Sequence, residues 1–164
     1  MVLRNFQQWR TFAKEASTLP ITLLKLICGI YVTRTHICDI AYTPGASMLP
    51  TMSISGDVIL VDRLSPRFGE IVPGDIVIVR SPENPRKVIT KRLIAREDDS
   101  VTFLVDPKNS DQSKTVVVPK GHVWVQGDNI YDSRDSRAFG PVPYGLLYGK
   151  VFWRVWPIKD FGPL

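Results

Sequence analysis

Hydrophobic and polar positions change texture once along this chain. Residues 1–17 are polar and basic, with Phe6, Trp9 and Phe12 spaced by three, which sets an aromatic stripe on one helical face. Leu19 to Val32 then reads LPITLLKLICGIYV, an apolar stretch broken by Lys25. From residue 42 onward, short β-branched runs bounded by Pro and Gly replace helical spacing. Asp57–Val61 and Asp75–Val79 are predicted strands, each entered through a Gly-Asp pair (Gly56-Asp57, Gly74-Asp75). Val88–Ala95, Val101–Val105, Thr115–Val118, Val123–Gln126 and Lys150–Trp156 follow as further strands. Turn signals at Ser65-Pro66, Pro73-Gly74, Pro85, Pro119, Gly127-Asp128 and Pro141 separate them. Asp106 to Lys114 (DPKNSDQSK) predicts an exposed hairpin loop. Many short strands with few helical stretches predict a mainly β domain over residues 42–164, either a barrel or packed sheets.

The apolar stretch admits three readings. A cleaved signal peptide lacks an A-x-A site after it. A soluble core helix fits its length of fourteen residues. A membrane anchor needs about 20 residues, and Thr33 to Ile40 would extend the span while Lys25 snorkels. The anchor is the preferred reading, with residues 1–41 as a basic segment plus anchor. Arg4, Arg10 and Lys14 precede the stretch and Arg34 alone follows closely, so the N-terminus is expected on the positive side.

Composition narrows the classes. The chain has 164 residues, enough for one domain with a core, and 44% apolar with 23% charged residues describes a globular protein. The net charge is +5, of which residues 1–42 carry +3 through five basic and two acidic side chains. No basic stripe remains to argue for a nucleic-acid partner. Cys28 and Cys38 make no disulfide scaffold, and without C-x-x-C or H-E-x-x-H no metal site is indicated.

Two isolated side chains invite a chemical reading. On the strand Val88–Ala95, alternation puts Lys91 on one face with Ile89, Leu93 and Ala95. Either this is an edge strand whose lysine reaches water, or Lys91 is desolvated and its pKa falls from about 10.4 toward about 7. No carboxylate lies two residues away on that face to oppose the fall. A neutral amine is a base, and a base needs something to activate. Ser47 lies in Pro44-Gly45-Ala46-Ser47-Met48-Leu49-Pro50-Thr51, an irregular turn from which a side chain projects. A serine there is either a plain turn residue or a nucleophile. A histidine-based triad would need His36, beside the anchor, or His122, at a strand start. A Ser-Lys pair needs neither. A third segment, Gly127 to Val142, is a polar loop between apolar ends, as functional loops are. In it Asp135 and Arg137 are placed to pair, and Ser133 to hydrogen-bond a lysine amine. The aromatic run Phe152-Trp153-Arg154-Val155-Trp156 reads as core, or else as a membrane or subunit contact.

Together these segments resemble the type I signal peptidase family of Ser-Lys proteases. Ser47-Met48-Leu49-Pro50-Thr51 is similar to its nucleophile box, Gly74-Asp75-Ile76-Val77 to its strand box, and Lys91-Arg92-Leu93-Ile94 to its lysine box. Gly127-Asp128-Asn129, with Ser133, Asp135-Ser136-Arg137 and Phe139-Gly140-Pro141-Val142, resembles the last. The small size resembles the mitochondrial inner membrane members. The resemblance implies a signal-peptidase-like antiparallel β domain with one N-terminal membrane-anchoring helix. It implies Ser47 as nucleophile, Lys91 as general base, Ser133 orienting the lysine, and Asp135 with Arg137 as a structural ion pair. Where many bacterial members carry a hydroxyl two positions before the nucleophile, this chain has Gly45, so the oxyanion hole is expected to rest on backbone N–H groups. No metal or organic cofactor is implied. The implied substrates are precursor proteins cut after a sorting segment. The implied partners are inner membrane lipid and a second, related peptidase subunit. The implied location is the mitochondrial inner membrane, catalytic domain toward the intermembrane space. Two rivals differ in class: a non-catalytic membrane subunit, and a soluble self-cleaving Ser-Lys repressor, which the basic and apolar N-terminus disfavours.

Overall fold

The structure is a computed structural model that describes residues 18–107 and 112–164. The Phe6, Trp9 and Phe12 stripe lies outside the described residues. The chain divides into two units, residues 1–37 and residues 38–164. In the first, residues 18–32 form helix α1, continued by a π-helical turn at Thr33–Ile37. Among the described residues no helix is long and apolar enough to cross a membrane. The expected extension of a span to Ile40 fails for a specific reason. Cys38, Asp39 and Ile40 already pair with Asp62, Val61 and Leu60, so their backbone polar groups belong to a sheet. The β unit therefore begins at Cys38, four residues before the texture change.

That unit carries an eight-stranded sheet in which all pairings are antiparallel. Its strands are β1 (Cys38–Thr43), β2 (Asp57–Asp62), β3 (Ile76–Arg80), β4 (Val88–Ala95), β7 (His122–Gln126), β8 (Val142–Pro143), β9 (Leu147–Trp156) and β10 (Gly162–Pro163). The spatial order is β1-β2-β9-β3-β4-β7-β8, with β10 on β9. The hairpin β5 (Ser100–Leu104) and β6 (Ser113–Val117) stands as its own two-stranded sheet; Ser113 and Lys114 of the expected loop Asp106–Lys114 belong to β6, and residues 108–111 of it lie outside the described residues. Two one-turn helices, α2 (Ser65–Phe68) and α3 (Ser136–Phe139), complete the unit.

β3 is buried at Ile76, Val77, Ile78 and Val79, a continuous run as expected of a strand covered on both faces. Alternation divides it between two cores. Val77 and Val79 pack with Leu93, Val123, Val125 and Val142, whereas Ile76 and Ile78 pack with Met48, Met52, Ile59, Val61 and Val151. Trp124 closes a third cluster with Ala95, Val101 and Val118 under the β5–β6 hairpin. The second core is where the Ser47 turn attaches, through Met48 and Met52. The first runs beneath the strand that carries Lys91.

The edge-strand reading of Val88–Ala95 is overturned: β4 lies between β3 and β7, so Lys91 has no sheet edge from which to reach water. The core reading of Phe152–Trp156 holds only in part. Trp153 is half-buried and stacks edge-on against Phe161 at 5.5 Å, but Trp156 is 53% exposed and Phe152 and Val155 are exposed too. In register, Leu60 faces Trp153 and Val58 faces Trp156, while Ile40 and Tyr42 sit opposite Leu60 and Val58. This outer face of β1, β2 and β9 is apolar and aromatic, with Ile40 and Tyr42 exposed.

β9 serves both halves of the sheet by bending, with register shifts against β2 and β3. Gly149 allows the close approach: a Cβ there falls on Val61 Cγ1 and 2.9 Å from the Asp62 carbonyl oxygen. Gly149→Ala is therefore expected to destabilise the β unit by about 1–3 kcal/mol through overpacking. Denaturant titration checks this, and an unchanged midpoint would show that β2 and β9 separate freely.

Candidate active site

Ser47 occupies the middle of a 3-10 turn, Ala46–Met48. Gly45 precedes it at φ +132°, a conformation that side chains rarely adopt, so glycine here sets the chain's path into the turn. The turn is tied down from the loop after β7. Asn129 N–H donates to the Ser47 carbonyl and Asn129 Nδ2 to the Ala46 carbonyl, both at 3.1 Å. Gly127 lies between the two halves of the site, since a Cβ there would fall on both Ser133 Oγ and the Ser47 carbonyl oxygen.

Lys91 is 3% exposed, which for a lysine demands a reason. Its Nζ donates to Ser133 Oγ at 3.0 Å. Ser133 in turn donates to Asp135 Oδ2 at 2.6 Å. Asp135 is fully buried and accepts Nε and Nη2 of Arg137 at 2.9 and 2.8 Å, together with the Gly127 N–H at 2.9 Å. Burial alone would push the Asp135 carboxyl up. Hydrogen bonds from Arg137, Gly127 and Ser133 outweigh it and hold the group below the usual carboxylate range. Asp135 also caps α3, its side chain accepting the Arg137 N–H. The expected positions of Ser133, Asp135 and Arg137 thus form one chain of bonds that ends on Lys91.

Burial lowers the Lys91 pKa to about 8; the nearby Asp135 carboxylate opposes the fall and Arg137 adds to it. The fall is smaller than sequence alternation suggested, because Asp135 reaches the lysine from another segment. The lysine has no direct carboxylate partner among the described residues; Ser133 stands between it and Asp135. Ser47 and Lys91 line the same cleft, of about 530 Å³, with Ala41, Met48, Ile78 and Ile89 among its apolar wall. His122 is elsewhere: it starts β7, at the opposite end from Gly127, and its Nδ1 lies 2.9 Å from the Lys120 carbonyl oxygen. His36 lies in the π-helical turn of the other unit.

The sequence motifs contain, without assigning it, a second cluster beside the first. Arg92 forks onto Asp128 at 2.8 and 2.6 Å, and Asp128 accepts the Thr51 hydroxyl at 2.6 Å. Arg92 projects from β4 on the face opposite Lys91, so one strand carries both clusters. A Lys-Arg pair in a strand is the signal that alternation divides two cations between two faces. Arg134, at the cleft rim, pairs with Glu83 in the exposed β3–β4 connection.

Burying the Lys91 amine carries a stability consequence with a definite sign. Its folded pKa is about 8 against 10.5 unperturbed. Between those values the unfolded chain holds the proton and the folded one does not, so stability rises with pH across that window. The cost below pH 8 is about 3 kcal/mol. Lys91→Met removes it. Its stability relative to the unaltered protein is expected to fall by about 3 kcal/mol as pH rises from 8 to 10.5. Denaturant midpoints across that range test this, and parallel pH profiles would mean the amine is solvated.

Residues 16–107 and 104–156 match the family described as signal peptidase, peptidase S26. The mitochondrial ATP-independent inner membrane protease subunit 1b of Arabidopsis thaliana is 51% identical over 156 residues, which is 95% of this chain and 92% of that one. The mitochondrial inner membrane protease subunit 1 of Homo sapiens is 40% identical over 82% of this chain and 80% of its own. Subunit 2 of the same protease from Danio rerio is 38% identical over 85% of this chain and 71% of its own.

Proposed function

The chain belongs to the signal peptidase family, peptidase S26, and from that membership we propose that Ser47 is its nucleophile and Lys91 its general base. The protein is a serine peptidase of the signal-peptidase type, related to mitochondrial inner membrane proteases. Its task in this reading is to remove sorting segments from precursors delivered to the inner membrane and intermembrane space. The observation that carries the dyad is a buried lysine with a pKa of about 8, sharing a cleft with a serine on a braced turn.

Ser47 Oγ attacks the scissile carbonyl carbon while its proton passes to the neutral Lys91 amine. The Oγ–C bond forms and negative charge collects on the carbonyl oxygen. As the tetrahedral centre collapses, the C–N bond breaks and Lys91 returns the proton to the departing amine. Water then repeats the sequence: Lys91 takes its proton, the hydroxyl oxygen adds to the acyl ester, and Ser47 recovers its proton as leaving group. A neutral amine offers two N–H bonds and one lone pair. Ser133 accepts one N–H and has committed its own proton to Asp135, so it does not compete for the lone pair. With Gly45 carrying no hydroxyl, the oxyanion is left to backbone N–H groups, that of Ser47 among them.

Anchoring through residues 19–40 fits less well than an anchor confined to the part before Cys38. The apolar face of Ile40, Tyr42, Trp153 and Trp156 begins three residues after that unit ends, which supports contact with inner membrane lipid. Relatives named as subunits 1 and 2 support a complex with a second, related subunit. The charge bias before residue 43 supports an N-terminus in the matrix and a β unit in the intermembrane space. Protease added after rupture of the outer membrane is expected to digest residues 38–164, and full protection would reverse the orientation.

The dyad is tested by kinetics on a cleavable precursor peptide. Ser47→Ala is expected to abolish cleavage with the fold intact. Lys91→Arg is expected to be as inactive as Lys91→Ala, because a guanidinium does not give up its proton at working pH. The kcat/KM of the unaltered protein is expected to rise with pH to a plateau, with its midpoint near the lysine pKa of about 8. Substantial activity in Lys91→Arg, or a dead and stably folded His122→Ala, would overturn the assignment.

A further inference from the structure

Thr51, four residues past Ser47, is held on both of its polar backbone and side-chain oxygens. Its hydroxyl donates to Asp128, which the Arg92 fork fixes in place. Its carbonyl accepts Nη2 of Arg154, which arrives from β9, 103 residues along the chain. The Arg154 side chain is 9% exposed, and its Nε lies 3.5 Å from Asp57 Oδ2, a carboxylate with no exposure at all. That same Oδ2 accepts the Ser53 N–H at 3.2 Å. Arg154 Nη1 also lies 3.8 Å from the half-exposed Asp160.

The chemistry of the dyad uses neither Arg154 nor Asp57. A buried ion pair is a poor source of net stability, since desolvation of both charges offsets their attraction. Here it is also imperfectly satisfied: Asp57 Oδ1 and Arg154 Nε have no hydrogen-bond partner among the described residues. Two apolar side chains would fill the space with less desolvation. What the pair does that apolar residues would not is direct two hydrogen bonds onto one short segment, at Thr51 and at Ser53. That segment is the continuation of the Ser47 turn, which Met52 N–H joins to the Met48 carbonyl at 2.9 Å.

We infer that the buried Arg154–Asp57 pair positions the nucleophile turn, with Arg154 acting on Ser47 through the Thr51 carbonyl. The Arg92–Asp128 pair grips Thr51 from the loop side and Arg154 from the β9 side, so the segment cannot pivot about either. This inference rests on the reading of Ser47 as the nucleophile.

Arg154→Lys keeps a cation opposite Asp57, but one ammonium does not reproduce the fork that reaches both Asp57 and the Thr51 carbonyl. In the full chain, with an internally quenched peptide that the unaltered protein cleaves, kcat per folded molecule is expected to fall about tenfold to a hundredfold. KM is expected to stay within about twofold, and the pH midpoint of kcat/KM to stay where it is, because the surroundings of Lys91 are untouched. Asp57→Asn, isosteric and still able to accept from Ser53, is expected to show the same kcat-only loss in smaller degree. Folded fractions are read by circular dichroism, and if one variant fails to fold the other decides. A purely structural role predicts full kcat per folded molecule, and that result overturns the inference. So does a loss confined to KM, or a shifted pH midpoint. Ser47→Ala, prepared alongside, keeps the two readings apart. Cleavage surviving in it overturns the nucleophile assignment, whereas a dead Ser47→Ala beside a fully active Arg154→Lys overturns the positioning role alone.

Discussion

The proposed chemistry depends throughout on keeping one amine out of water. Lys91 is covered because β4 is an interior strand, flanked by β3 and β7 and backed by Val77 and Leu93. Burial disfavours the ammonium form, and among the described residues no carboxylate touches Nζ to restore it. The nearest, Asp135, is held one hydroxyl away and already engaged by Arg137. Were Asp135 in direct contact with the amine, an ordinary ion pair would result, and the lysine would be a fixed cation rather than a base.

The loop from Gly127 to Phe139 solves two problems with one segment. Its first residues bind the carbonyls of Ala46 and Ser47, and its middle supplies Ser133 and Asp135 to the lysine. The serine turn and the lysine strand are therefore registered against a common reference. Gly127 is the point of closest approach, where a single methyl group has no room. Such bracing suits a reaction in which proton transfer and attack must coincide, because a small displacement of either group costs rate steeply.

The site and the apolar outer face lie in one unit. β1 contributes Ala41, Tyr42 and Thr43 to the cleft, and exposes Ile40 on its other side. A single strand thus carries both cleft wall and, at Ile40, the apolar outer surface. In the proposed function, that brings the cleft within one strand's thickness of an apolar surface.

Much of this was legible in the sequence. Period-two alternation is a local property, so Val88–Ala95 and the face bearing Lys91 could be read directly, as could the Gly-Asp starts of β2 and the strand after Gly74. Both glycines adopt positive φ. The four motifs gave the membership and the order of Ser47, Lys91, Ser133, Asp135 and Arg137. What sequence could not give was set by contacts distant along the chain. Whether Lys91 is buried depended on which strands flank β4. How far its pKa falls depended on Asp135, 44 residues away. β1 was hidden because the apolar run before it masks a half-buried strand, and its pairing with β2 alone shows where the first unit ends. Nothing local in the sequence sets Arg154 beside Asp57; only the bend of β9 across β2 buries them together against Thr51. Alternation, turn residues and motif order belong to neighbours in the chain, whereas desolvation and hydrogen-bond partnership belong to neighbours in space, and those the fold alone decides.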